Sequence, residues 1–287
     1  MSDLNPLSDG ESIRFFVFDI ESVPDPTLVS LVRTGGSKDP DEALSEYQAE
    51  LLEKKNTDFV PYVYHQPISL ALAKIKGDLS IDELIVLKVE DGGPRKICER
   101  FWQGWRYYDK PQFVTFNGRG FDLPLMELTA YRYGLSLPDW FEDAGPSYNH
   151  PRNRYNKRFH LDLNAELTNF GSTTFDGGLN LASKTLRKAG KIDTRGEMVQ
   201  DLFNQGRLDD VHRYCRCDVL DTYFVFLRYS VLRGRISAKR EKELVEETRA
   251  FLSRSAEEEP AYRDYLDAWR FVDEFAQAHD FFGRFES

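Results

Sequence analysis

The sequence predicts an α/β protein in which a mixed sheet is flanked by helices, with a helical, acidic C-terminal extension. Three observations carry this expectation. Residues 13–18 form an apolar and aromatic run broken only by Arg14, the pattern of a strand buried on both faces. Two more apolar runs, 68–76 and 81–89, flank the turn-forming pair Gly77-Asp78 as the arms of an antiparallel hairpin would. After them the periodicity alternates between helical stretches and a short strand.

Each element has its own local signal. Residues 1–11 are polar, contain Pro6 and Gly10, and read as a flexible tail. The central strand follows, ending at Asp19 and Glu21. The polar segment 34–67 reads as an insertion beside it, with a helix over 41–54 that starts from acids and aligns Leu44, Tyr47, Leu51 and Leu52. Residues 95–108 place Ile97, Phe101, Trp102 and Trp105 at helical spacing, and Pro111 breaks the chain before a strand over 112–116. A helix is expected over 122–133, then a Pro- and Asn-rich loop over 137–155. Helical patterns recur at 179–189, 197–203 and 208–232, and again from 237 onward. These boundaries predict a tail (1–11), a main domain (12–235) and a C-terminal extension (236–287).

Composition narrows the class. The chain has 287 residues, 41% hydrophobic and 30% charged, enough for a sizeable core. Its most apolar stretch, 68–75, contains Ser69 and Lys74 and falls far short of the roughly 20 residues that span a bilayer. The N-terminus lacks the basic start and apolar stretch of a secretory signal, and three cysteines form no disulfide framework, so a cytoplasmic location with reduced thiols is expected. Cys215-x-Cys217 has no second Cys or Cys/His pair to complete a zinc site; packing and helix surface account for it. The net charge of −10 argues against a nucleic-acid partner, but its distribution is uneven. Residues 144–200 hold nine Lys/Arg against five acids, a local excess of four, whereas 237–287 hold eight against thirteen.

Three short motifs carry candidate chemistry. A spacing of two puts Asp19 and Glu21 on one face of an extended backbone. Asn117-Gly118-Arg119-Gly120-Phe121-Asp122 follows a short apolar strand; its glycines permit a tight turn and close backbone approach. Asp122 reads either as the cap of the following helix or as a ligand at the sheet's mouth. Phe121 reads either as core or as a face for base stacking. Tyr214 and Asp218 lie one helical turn apart, which also describes an ordinary half-buried tyrosine beside a surface acid.

In the order Asp-x-Glu, Asn-x-x-x-Phe-Asp, Tyr-x-x-x-Asp, the chain resembles the tyrosine-bearing branch of the DEDD (DnaQ-like) exonuclease superfamily. The histidine branch would need His at 213, which is Arg213; His212 is one place early, and Asp221 fits neither branch. The run from Lys191-Ile192-Asp193 through Tyr214 and Asp218 to Tyr223, with His160-Leu161-Asp162 and Leu179 to Lys184, is similar to a stand-alone bacterial family of predicted 3′-5′ exonucleases related to the proofreading domain of family-B DNA polymerases. This likeness covers about residues 13–233.

The resemblance implies a ribonuclease-H-like fold and two divalent cations, Mg²⁺ or Mn²⁺, held by Asp19, Glu21, Asp122 and Asp218. Such hard ions suit an all-carboxylate site. Asp19 would bridge both, Glu21 and Asp218 would hold the one that activates water, Asp122 would reach the other, and Tyr214 would orient the attacking water. The expected partner is the 3′ end of single-stranded nucleic acid, DNA favoured and RNA open, with nucleoside 5′-monophosphates released. Ile20, Asn117, Gly118 and Phe121 are candidate contacts to the terminal nucleotide, and Arg152, Arg154, Lys157, Arg158 and Lys184 to backbone phosphates; a solvated loop is the alternative for the arginine-rich segment. Two other functions stay open. One is a catalytically weak binding module on the same fold. The other is a haloacid-dehalogenase-type phosphatase, disfavoured because that chemistry needs Asp-x-Asp.

Overall fold

The computed structural model describes residues 11–191 and 198–279. Its centre is a five-stranded sheet in the order β3-β2-β1-β4-β5, made of β1 (Ile13–Pro24), β2 (His65–Lys76), β3 (Ile81–Lys88), β4 (Gln112–Thr115) and β5 (His160–Asp162). β2 runs antiparallel to both β1 and β3, while β4 and β5 extend the other edge in parallel. This is the mixed sheet, flanked by helices, that the order of apolar runs predicts.

The central strand is longer than its apolar run. Asp19 and Glu21 lie inside β1, not at its end, because β2 begins at His65 and keeps pairing with β1 out to Pro24. On the opposite edge β4 pairs with β1 only over Phe15–Val17. Beyond Val17, β1 therefore has a neighbour on one side only. The two acids occupy the stretch where that edge is open.

Strand alternation sends Phe16, Phe18 and Ile20 to one face, where they pack with α3 (Gly93–Tyr107) and α4 (Asp122–Tyr133) through Phe101, Trp102, Trp105, Leu123 and Met126. Val17 points to the other face, toward α8 (Leu208–Leu232), whose Val219, Tyr223 and Phe226 belong to the same core cluster. Asp19 and Glu21 continue the row of Val17 and so face α8. The helices α3, α4 and α8 lie where the periodicity places them.

Other elements were less legible. Helix α1 (Pro26–Thr34) was not anticipated, although Asp25 caps it by accepting from the Leu28 amide and Pro26 sits at its start, a recognisable pair. Helix α2 (Pro40–Lys55) matches the expected 41–54, packing Leu44, Tyr47 and Leu51 under Val29 and Val60 while Leu52 stays exposed. β5 is three residues long, too short for periodicity, and α5 (Leu163–Leu167) follows it directly. Helix α6 (Gly178–Thr185) stops before 189 because Arg187 takes a left-handed conformation, φ 55°. Helix α7 (Val199–Asn204) overlaps the expected 197–203 and runs one residue beyond it; Glu197, Ile192 and Asp193 lie outside the described residues, as does the tail up to residue 10.

Helices α9 (Ala238–Ser255) and α10 (Pro260–Ala278) form the acidic C-terminal stretch, and they fold back onto α8. Trp269 and Tyr265 pack on Phe224 at ring separations of 5.1 and 6.4 Å. All three cysteines are free and buried, so neither Cys215 nor Cys217 lies on a helix surface. Among the described residues no helix is long and apolar enough to cross a membrane.

Phe113 of β4 meets Phe18, Phe101, Trp105 and Trp140 at 5.2–5.6 Å and is fully buried. Phe113→Ala is expected to cost about 3–5 kcal/mol of stability in denaturant unfolding. A loss below about 1 kcal/mol would show that this aromatic layer does not carry the sheet's face.

Candidate active site

Three elements bring the predicted acids together. Asp19 and Glu21 come from β1, Asp122 from the start of α4, and Tyr214 and Asp218 from α8. The helix approaches the sheet closely because the strand beside it is lined with small residues: Asp19 pairs with Ala71 and Glu21 with Ser69, both fully buried. Cys215 fills the gap. Its sulfur accepts the Ala71 amide at 3.3 Å and its thiol donates to the Asp19 carbonyl at 3.3 Å, which sets the height of α8 over β1. Ligand atoms of Asp19, Glu21 and Cys215 lie within 4.8 Å of one another.

Asp122 is placed by a backbone device after β4. Asn117 adopts φ 69°, and the Asp162 carboxylate accepts the amides of Asn117 and Arg119, each at 2.9 Å. The same carboxylate caps α5 through the Asn164 and Ala165 amides. A side chain at Gly118 would put its Cβ 2.5 Å from Thr115 Oγ1, so only glycine fits beneath this turn. The turn delivers Asp122 as the first residue of α4, buried, with Phe121 rather than Asp122 at the cap position. Backbone amides of Asp122 itself and of Ile20 bond to its carboxylate.

Burial and mutual repulsion dominate the electrostatics. Burial, then Asp122 and Asp218, push Asp19 well above the carboxylate range; burial, then Asp19 and Asp218, do the same to Glu21. Asp122 is raised to about 7, mainly by burial, and Asp218 to about 6 for the same reason. Two groups oppose this at Asp218: the Lys191 ammonium and the nearby Tyr214 hydroxyl. Tyr214 is itself held far above the tyrosine range by burial and by Asp218, Glu21 and Asp19, so its phenol stays protonated. Burial and the same two β1 acids also raise the Cys215 thiol.

The four carboxylates line one end of a cavity of 960 Å³, and Tyr214 and Cys215 lie outside its lining. Asp19, Ile20, Glu21, Asn117, Phe121, Asp122 and Asp218 reach it, with walls added by Gln48, Leu52 and Phe59 from α2 and the chain after it, and by Gln200 and Asp201 of α7. The insertion is thus part of the cleft, as expected of a segment beside the strand. Phe121 packs against Phe59, Tyr62 and His65 at 6.0–6.4 Å and still faces the cavity. His65 is held neutral by burial, down to about 4.

Other expected contacts lie elsewhere. Arg152 makes a two-pronged ion pair with Glu127, at 2.9 and 2.8 Å, and covers Phe141. Lys157 pairs with Glu166 at 2.6 Å, while Arg154 and Arg158 lie over the rings of Tyr155 and Phe159. The stretch 144–161 around them contains no acids, but acids from α4 and α5 come to it. Lys184 bonds to the Ala189 carbonyl at 3.3 Å, and Gly118 is buried under its turn. None of these six residues lines the cavity. In their place stands Lys191, a residue the motif reading quoted but gave no role, which lines the cavity and whose charge acts on Asp19, Glu21 and Asp218.

The raised carboxylates make a pH prediction for the metal-free protein. Asp122 binds its proton more tightly folded (about 7) than unfolded (3.8), so its ionisation lowers stability progressively as pH rises across that window. Asp122→Asn removes this penalty. In EDTA at pH 8 the variant should unfold later than the parent, by on the order of 2 kcal/mol, with the difference vanishing near pH 4. A variant that is less stable at pH 8 would contradict the electrostatic picture.

Comparison with known proteins agrees with the motif reading. The family model described as "predicted 3′-5′ exonuclease related to the exonuclease domain of PolB" matches residues 57–269. That span contains Asp122, Lys191, Tyr214 and Asp218, begins after β1, and runs through α9 into α10, beyond residue 233 where the motif likeness ends. Among solved structures, the family B DNA polymerase from the hyperthermophilic archaeon Pyrobaculum calidifontis is similar at 15% identity and a TM-score of 0.47, over 76% of this chain. The chain spans only 24% of that polymerase. Comparison with curated proteins gives no match. With a family model covering most of its length, the chain belongs to the predicted 3′-5′ exonucleases related to the exonuclease domain of PolB.

Proposed function

We propose that this protein hydrolyses the terminal phosphodiester bond at the 3′ end of single-stranded nucleic acid, DNA in preference to RNA, releasing nucleoside 5′-monophosphates. The observation that carries the proposal is the gathering of four carboxylates from three separate elements at one end of a cleft, with Lys191 as the cation beside them. Every acid in the group is pushed toward its neutral form, so the cluster lacks positive charge. Oxygen donors and a deficit of positive charge fit divalent Mg²⁺ or Mn²⁺. The neighbouring thiol is committed to the Asp19 carbonyl and the Ala71 amide, which leaves no sulfur ligand for zinc.

Asp19, Glu21, Asp122 and Asp218 are the residues that would hold such ions. Bound divalent cations supply the charge that stabilises attacking and departing oxygens in an in-line displacement. The chain's own groups do the rest. Tyr214, whose phenol stays protonated beside Asp218, orients a water by hydrogen bonding and does not act as the base. Lys191 offsets part of the carboxylate charge and offers a cation to a phosphate entering an otherwise acidic cleft. The aromatic wall of Phe59, His65 and Phe121, backed by Tyr62, accepts the face of an unstacked base, and with His65 neutral the wall adds no charge of its own.

The test is degradation of 5′-labelled single-stranded DNA and RNA with Mg²⁺, Mn²⁺ or EDTA. A metal-dependent ladder shortening from the 3′ end is expected, abolished by EDTA and reduced at least about a hundredfold by Asp19→Ala. Tyr214→Phe should lower kcat about ten- to a hundredfold with little change in KM. No cleavage of either polymer with either metal would overturn the proposal.

A further inference from the structure

The Lys191 ammonium faces the carboxylates, and the backbone leading to it is gripped at three successive residues. Lys184 donates to the Ala189 carbonyl at 3.3 Å, Asp221 accepts the Gly190 amide at 3.3 Å, and Asn180 accepts the Lys191 amide at 2.9 Å. Gly190 itself has φ 62°, and a Cβ there would stand 2.6 Å from Asn180 Oδ1, so the grip admits no side chain. Asp221 is almost fully buried on α8, one turn beyond Asp218. The oxygen that accepts Gly190 also accepts the Tyr265 hydroxyl of α10 at 2.6 Å. Its second oxygen has no hydrogen-bond partner among the described residues. Asp221 thus links two elements, the Lys191 segment and the C-terminal helix.

We propose that Tyr265 is a positioning residue for the reaction: through Asp221 it fixes the backbone of residues 189–191 and so holds the Lys191 ammonium among the carboxylates. The proposal rests on the exonuclease reading above and deepens it. It makes the acidic C-terminal stretch a working part of the active site instead of a detachable cover. The chemistry is economical: Tyr265 already touches Trp269 and Phe224 in the core, so its ring fixes its hydroxyl, and the hydroxyl orients the Asp221 carboxylate. A rigid acceptor then selects one position for the Gly190 amide, and a displacement of about 1 Å at a catalytic group is enough to change rates substantially.

Two measurements on the full chain test this. Hydrogen exchange followed by mass spectrometry should show faster exchange in the peptide covering 189–191 for Tyr265→Phe and Asp221→Leu, and near-parental exchange for Asp221→Asn, which keeps an acceptor oxygen. This readout needs no nuclease activity, so it separates failure of the clamp from failure of the exonuclease reading. On single-stranded DNA with Mn²⁺, Tyr265→Phe should lower kcat about tenfold with KM little changed. In a Lys191→Ala background the same substitution should have almost no further effect, since the clamp acts through that lysine. Unchanged exchange at 189–191 would overturn the proposal. So would a loss of activity from Tyr265→Phe that is equal with and without Lys191.

Discussion

Mutual repulsion among buried carboxylates is the constraint on which the rest of this structure depends. Two such charges 4 Å apart repel by about 4 kcal/mol at an effective dielectric near 20, and Asp19, Glu21, Asp122 and Asp218 share one end of one cleft. Nothing local to any one segment favours that gathering. It is imposed by the fold, through β1 outrunning β4, through small residues on β2 that admit α8, and through the Asp162-anchored turn that delivers Asp122. Each device is costly to alter: Gly118 has no room for a Cβ, and Cys215 bonds to both strands beneath it. A fold that works this hard to hold like charges together implies a counter-charge as its functional partner.

Much of the site was legible in sequence because its geometry is local. A spacing of two on a strand and of four on a helix fixes which side chains share a face, and both rules placed their residues correctly. The succession of apolar runs, with a helix between the third and fourth strands, then supplied the sheet type. What escaped depends on distant partners. The extent of β1 is set by where β2 begins, some fifty residues on; β5 is too short to show a period. The basic stretch looked available to phosphates because residues 144–161 contain no acids, yet Glu127 and Glu166 reach Arg152 and Lys157 from other elements. Lys191 carried no signal beyond its place in a quoted motif.

The C-terminal helices show the same limit. Composition marks residues 237–287 as acidic and separate, whereas Tyr265, Trp269 and Leu252 belong to the core cluster that includes α8. The family match, which extends to residue 269, treats most of this stretch as continuous with the rest. Charge balance describes the outer surface of these helices; their inner face is read only from what they pack against.

Under the proposed function the carboxylate cluster is a cation site. Equilibrium titration with Mn²⁺ near pH 6.5, with proton release recorded, tests it most directly. Binding of two ions per chain accompanied by released protons, and lost in Asp19→Asn, is the predicted result, because the acids are partly protonated without metal and must ionise to bind. Absence of binding, or binding that Asp19→Asn leaves unchanged, would contradict it.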